Sequence, residues 1–363
     1  MIPYGRQNIS KDDIKAVSDT LLEPLITQGP KVEEFEKALA EYFGAKFAVA
    51  FNSGTSALYC VYRALGLKKD DEFITSPITF TATISAGVLL GAKPVFCDVE
   101  PDTALINPEL IPELINSRTK MIVPVHYAGH PCDMEEIFKI AKERELYVVE
   151  DACHAPGAKY NSYKVGSCIH SDAAVFSFHP VKHFTTGEGG AVLTNSQELY
   201  EKLTRLRSHG ILRGKDWEYQ VLEPSFNFRI TDFQCALGLS QLKKLDDFIS
   251  QRRYLAARYA QILKAPIYLP PERDWAFHAY HLYPVRLKDP SKRREVFRKL
   301  REAGFGVQVH YIPVYHHPFM KEIPHRICPN AEDFYSRVIS LPIFPGLDEK
   351  TQDAVAKHLE KAL

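Results

Sequence analysis

"SFHPVKHFTTGEGGAVLTN", Ser177 to Asn195, places Lys182 in a turn between two short β runs, AAVFSFH (173–179) and GGAVLTN (189–195). The turn leaves no room for a crossover helix, so the two runs are expected side by side in one sheet, one of them antiparallel. A lysine at a strand end is poorly explained as solubilising charge. It fits an amine that must reach a fixed point inside a pocket.

Upstream of this stretch the chain alternates. The amphipathic KVEEFEKALAEYF predicts a helix stopped by Gly44, and KFAVAFN a strand. SGTSALYCVYRAL predicts a helix ended by Gly66; EFITSP, KPVFCDV, MIVPVHY and LYVVEDA read as strands. Further helices are expected from about Thr79 to Gly91, near Pro108 to Ile115, and over MEEIFKIAKERE. Strand, helix, strand, helix at this spacing implies crossover units and a mostly parallel sheet covered on both faces. A long helical segment, Thr231 to Leu263, then leads to a second region with its own strands and a helix over SKRREVFRKLREAG, read as a small α+β domain.

Composition bounds the function. The 363 residues carry 45 Lys+Arg against 45 Asp+Glu, so no global field attracts nucleic acid or an anionic membrane. No apolar run approaches the ~20 residues that span a bilayer, and the N-terminus has no signal-peptide core. Seven cysteines are scattered without a C-x-x-C pair, which argues against a disulfide framework or cysteine-rich zinc site and for a cytoplasmic protein.

Three segments carry candidate chemistry. In VVEDACHAPG, Asp151 lies where an apolar strand ends and His154 follows three residues later. A carboxylate and a lysine in one pocket are what pyridoxal 5'-phosphate requires: the lysine bonds the aldehyde and the carboxylate keeps the ring nitrogen protonated. In NSGTSAL a β run opens into a helix whose free N–H groups, with Thr55 and Ser56 hydroxyls, would take a phosphate. This is not a P-loop, and the TTGEGGAV glycines precede a strand and not a helix, so no dinucleotide fingerprint is present. The third segment, HYIPVYHH, lacks metal-ligand spacing and reads better as a rim of His310, Tyr311, Tyr315, His316 and His317 facing a substrate.

Taken in order, VEDACHAPG, FSFHPVKHFTTGEGGAVLTN, RSHGI and FNFRITDFQCALGLSQLKKL resemble the sugar-nucleotide aminotransferases, fold-type I pyridoxal-phosphate enzymes. The resemblance runs over nearly the whole chain. RSHGILRG, QVHYIPVYHHPF and AEDFYSRVISLPIFPGL most resemble members acting in pseudaminic acid biosynthesis. It implies an α/β fold, with a large cofactor-binding domain over residues 1–245 and a small C-terminal α+β domain over 246–363. It implies Lys182 as the catalytic lysine, Asp151 at the pyridine nitrogen and His154 near the ring's phenolic oxygen. Phe80 would stack on the ring, and Thr55, Ser56 and Ser177 would hold the phosphate. Asn227 would reach the cofactor of a neighbouring subunit in a homodimer with shared active sites. Arg229 would lie at that same boundary and, with His310 and Tyr311, meet the substrate; Arg213 and Lys215 are further candidate cations.

The implied reaction is transamination, with L-glutamate as donor and a UDP-linked 4-keto sugar as acceptor. The rivals are another nucleotide-linked keto sugar, dTDP-linked or keto at C3, and a non-enzymatic cofactor-binding regulator. The family's dehydratases carry histidine in place of the lysine, so Lys182 argues against them.

Overall fold

The computed structural model describes residues 1–363. Helices α1 (Lys11–Leu21) and α2 (Pro30–Phe43) come first, and Gly44 caps α2 with a φ of 80°, a left-handed geometry open to glycine. Strands β1 (Phe47–Phe51), β2 (Glu72–Thr75), β3 (Lys93–Phe96), β4 (Thr119–Val123), β5 (Tyr147–Asp151), β6 (Ala173–Ser177) and β7 (Gly190–Thr194) follow. They form one seven-stranded sheet in the order β1-β7-β6-β5-β4-β2-β3. All pairings from β3 across to β6 are parallel, whereas β7 runs antiparallel to both β6 and β1. The strands flanking Lys182 are therefore neighbours of opposite direction, as the short turn demands.

Alternation along the strands divides the interior. Val49, Phe51, Val175 and Val192 face one core with Ala57, Leu58 and Val61 of α3 (Gly54–Ala64). Their sequence neighbours Ala48, Ala50, Ala174, Phe176 and Ala191 face a second core, covered by α2 and by α7 (Asp232–Leu242). Both faces of the sheet are buried, the condition under which parallel strands are stable.

α4 (Thr81–Leu89), α5 (Met134–Glu143) and α6 (Gln197–Arg207) complete the crossovers. The expected helix at Pro108–Ile115 is instead two three-residue 3-10 turns, Pro108–Leu110 and Pro112–Leu114, because Pro112 offers no N–H to continue a helix. The long helical segment is two helices, α7 and α8 (Leu245–Ile262), separated at Lys243–Lys244. There Lys244 Nζ donates to Asp13 Oδ2 at 2.6 Å and to Ser10 Oγ at 3.0 Å.

A third core follows residue 255. It packs the antiparallel sheet β8 (Ile267–Tyr268), β9 (Tyr283–Leu287) and β10 (Val338–Leu341), in that order, against α8, α9 (Arg293–Glu302) and the last helix, Glu349–Ala362. The N-terminus joins it: Ile2–Pro3 pairs in parallel with Phe305–Gly306, and Ile2 packs on this core. Tyr4 is thereby carried towards the edge of the large sheet where β5 and β6 end. No helix is long and apolar enough to cross a membrane.

Candidate active site

At the carboxyl ends of β1, β4, β5 and β6 lies a cavity of about 400 Å³. Its walls include Thr55, Phe80, Asp151, His154, Ser177, Lys182, His310 and Tyr311, so eight of the residues singled out above meet in one place.

The sheet positions the acid and the amine. Asp151 is the last residue of β5, and its buried carboxylate accepts from Thr83 Oγ1 at 2.6 Å and from the Cys153 N–H at 3.2 Å. Lys182 hangs in the loop between β6 and β7, its N–H donating to His179 O at 2.9 Å. Burial lowers the pKa of its ammonium, with Cys153 and Asp151 nearby opposing the shift. A larger share of neutral amine is therefore available than on an exposed lysine.

α3 supplies an anion site. Ser53 caps it, accepting from the Ser56 N–H, and the first turn leaves the Gly54 and Thr55 N–H groups without partners inside the helix. Gly190 keeps this turn pressed on the sheet, since a Cβ there would lie 2.5 Å from Gly54 N. Thr55 is exposed into the cavity. Ser56 is not brought there: its hydroxyl is buried, donating to Asn52 Oδ1 at 2.6 Å. Phe80, just before α4, is 56% exposed, far more than a core aromatic would be, and stands free as one wall of the cavity.

His154 is buried, with its Nε2 3.0 Å from the Tyr311 hydroxyl and its Nδ1 without a protein partner. Burial, then Lys182 and His310, push its pKa well below the usual imidazole value, and burial raises that of Tyr311. The His154 ring is therefore neutral and Tyr311 keeps its proton. His310 is held by Ser340 at 2.9 Å and is pushed down to about 3, by burial and then by Lys182. Of the expected rim, Tyr315 and His316 turn away to bond Glu332 at 2.7 and 2.8 Å, and His317 does not line the cavity.

Asn227 and Arg229 also lie outside this cavity. Arg229 donates to Ser208 Oγ at 2.8 Å in a separate open cleft of about 590 Å³ that it shares with Arg205, Arg207 and Arg213. Their loop nevertheless abuts the mouth, since the Asn52 N–H donates to Phe228 O at 2.9 Å. Tyr4, Thr83 and Glu188 line the cavity without having been singled out from sequence, and so does His179, which the sequence suggests only as a structural histidine on a strand. Thr83 lay in an ordinary helical run, and Tyr4 owes its place to a strand pairing three hundred residues distant, for which no local signal exists.

The donor set fits pyridoxal phosphate: an amine and a carboxylate face one space, an aromatic wall stands free, and a helix N-terminus opens beside Ser177. Fold and pocket together define a fold-type I aminotransferase. The chain belongs to the DegT/DnrJ/EryC1/StrS aminotransferase family, which it matches over residues 7–360. It is 39% identical to a UDP-4-amino-4,6-dideoxy-N-acetyl-beta-L-altrosamine transaminase of Campylobacter jejuni, covering 99% of this chain and 98% of that one. An uncharacterized protein of Methanocaldococcus jannaschii is 41% identical, covering 98% and 96%. Among solved structures, Helicobacter pylori PseC, an aminotransferase of pseudoaminic acid biosynthesis, superposes with a TM-score of 0.95 at 37% identity, covering 99% and 98%. A putative sugar aminotransferase of Streptococcus pneumoniae in its PLP form gives 0.94 at 30%, covering 99% and 98%.

Proposed function

We propose that this enzyme transfers the amino group of L-glutamate to C4 of a UDP-linked 4-keto-6-deoxy-N-acetylhexosamine, giving a UDP-4-amino sugar on the route to pseudaminic acid. The reading is carried by one observation: Lys182 and Asp151 face a single cavity in a chain that matches the Campylobacter transaminase from end to end.

Pyridoxal phosphate, when bound, supplies a ring that stabilises negative charge at the substrate carbon losing a proton. Lys182 would anchor it, and its amine would take the proton from the nitrogen-bearing carbon of the donor and, in the second half-reaction, deliver a proton to C4 of the sugar. Asp151, fixed by Thr83, pairs with the ring nitrogen. Thr55, Ser177 and the start of α3, which line the cavity, would hold the phosphate, and Phe80 and neutral His154 would confine the ring. His310 and Tyr311 bound the side from which substrate enters.

The enzyme works as a homodimer with shared sites. Support comes from Asn227 and Arg229, which stand outside this chain's own cavity, and from the exposed Trp217, Tyr219 and Phe226 beside them. Seven unpaired cysteines and a sugar-nucleotide substrate support a cytoplasmic setting.

A product assay across UDP- and dTDP-linked 3-keto and 4-keto sugars with glutamate tests the proposal. Amination of the UDP-linked 4-keto sugar is expected. Turnover confined to a dTDP-linked or 3-keto sugar would overturn the substrate assignment.

A further inference from the structure

Arg252 is a fully buried arginine on α8 with no carboxylate partner. Its Nη1 donates to three backbone oxygens, Tyr280 O at 3.1 Å, His281 O at 3.2 Å and Ile343 O at 3.0 Å, while Nε and Nη2 find no partner in the protein. An unpaired interior cation is costly, and such departures concentrate where function requires them.

The segment that Arg252 grips lies behind the active site. Tyr280 has a φ of 48°, left-handed backbone in a bulky residue, and its carbonyl is one of the three oxygens. The same segment presses on the chain carrying His154: a Cβ on Gly129 would lie 2.8 Å from His154 O, 3.0 Å from His281 N and 3.1 Å from Tyr280 N. The His281 ring sits 4.4 Å from the His154 ring, and the His183 ring 5.5 Å from that of His281. The Nδ1 atoms of these three imidazoles are also buried and unpartnered. Through Ile343, whose N–H donates to Tyr4 O at 2.9 Å, the same guanidinium steadies the wall opposite.

We propose that Arg252 is a positioning residue of the active site, acting through the backbone of Tyr280 and His281 to hold His154 against Tyr311. The inference rests on the reading of this cavity as the catalytic site. Its charge adds a second effect. The groups facing the three rings are Lys182, His310, Tyr127, Tyr311 and Arg252 itself, and none of the rings is bonded to a carboxylate. Burial first, and after it Lys182 for all three rings and Arg252 for His183 and His281, keep these imidazoles neutral.

The test compares Arg252→Lys and Arg252→Met in the cofactor-loaded enzyme, by imidazole NMR titration and by the pH profile of kcat. With Arg252→Met, His183 and His281 are expected to take protons at higher pH, because a repelling cation is gone. Turnover should fall about tenfold with KM for glutamate within about twofold, and the acid limb of the profile should rise with the titration. Arg252→Lys, which keeps the charge, should restore the titrations and part of the turnover. Wild-type titrations and kcat in a folded Arg252→Met would overturn the proposal. A loss of turnover with unmoved titrations would overturn the charge effect and support the backbone hold on Tyr280 and His281. Should Arg252→Met not fold, Arg252→Gln, which keeps an N–H donor for the three carbonyls and removes the charge, is read by the same titrations: raised His183 and His281 values support the charge effect and unmoved ones overturn it. The titrations need no turnover, so they remain readable if the sugar assignment fails.

Discussion

The Thr83 hydroxyl donates to Asp151 Oδ2 at 2.6 Å, joining the first turn of α4 to the end of β5 inside a water-excluded interior. Thr79 extends the contact, its hydroxyl 2.8 Å from that of Thr83. A carboxylate pinned by a hydroxyl and a backbone N–H is held in one orientation, so on the proposed reading Thr83 would govern how well Asp151 meets the ring nitrogen. Replacing Thr83 by Val keeps the shape and deletes the donor. A hydrogen bond to a charged group is worth about 1.5–3 kcal/mol, so cofactor affinity is expected to fall roughly tenfold or more, with Thr83→Ser restoring most of it. A fluorescence titration of the apoprotein with pyridoxal phosphate reads both; unchanged affinity in Thr83→Val would refute the role.

Lys182 gives the second expectation. Reductive trapping with borohydride should leave the cofactor covalently on the peptide containing Lys182 in the wild type and on no peptide in Lys182→Ala. Turnover in that variant should drop at least about 10³-fold, since anchor and proton carrier are lost together. Peptide mapping by mass spectrometry decides the first point and a product assay the second. Trapped cofactor on another lysine would displace Lys182 from its role.

Tyr311 and His154, 3.0 Å apart, supply a third. Tyr311→Phe leaves the ring in place and frees His154 Nε2 inside a buried pocket. An unpartnered buried acceptor costs about 1–3 kcal/mol, so a lower melting temperature and a kcat reduced about fivefold to tenfold are expected. If both stay at wild-type values, the contact carries no weight in either state.

How much of this was legible in the sequence depends on how local each cause is. The β6–Lys182–β7 arrangement was legible because a turn of that length permits only adjacent, opposed strands. Asp151 was legible because the end of an apolar run marks the sheet edge, whereas the places of His154 and Ser177 followed from the family resemblance. The Pro108–Ile115 helix was misread although Pro112 stood in plain view; the apolar spacing outweighed a missing N–H. Ser56 looked like Thr55 in the string, yet one hydroxyl faces the cavity and the other turns into the helix cap, a matter of side-chain direction along one turn. Tyr4, Thr83 and Arg252 act through partners 28 to 339 positions away, and nothing in their own neighbourhoods announces it: Thr83 bonds Asp151, Arg252 bonds Tyr280, His281 and Ile343, and the segment of Tyr4 is tied to Ile343.

Buried imidazoles set the acid limit of the fold. His130, His154, His183, His278, His281 and His310 all have pKa values depressed, with burial the largest cause in each. In the unfolded chain each returns to about 6.5, so below that pH the unfolded state binds more protons and stability falls as pH falls. Each imidazole that stays neutral in the fold removes up to about 1.4 kcal/mol per pH unit until its own folded value is reached. The loss therefore begins near pH 6.5 and steepens below it, and at higher pH these groups contribute no slope. Urea unfolding of the apoprotein at about pH 8, about 6.5 and about 5.5 should give a midpoint already lower at the second, where each ring is half protonated in the unfolded chain, and sharply lower at the third. A midpoint that holds constant down to about pH 5.5 would mean that these rings reach water in the native state, contrary to their burial.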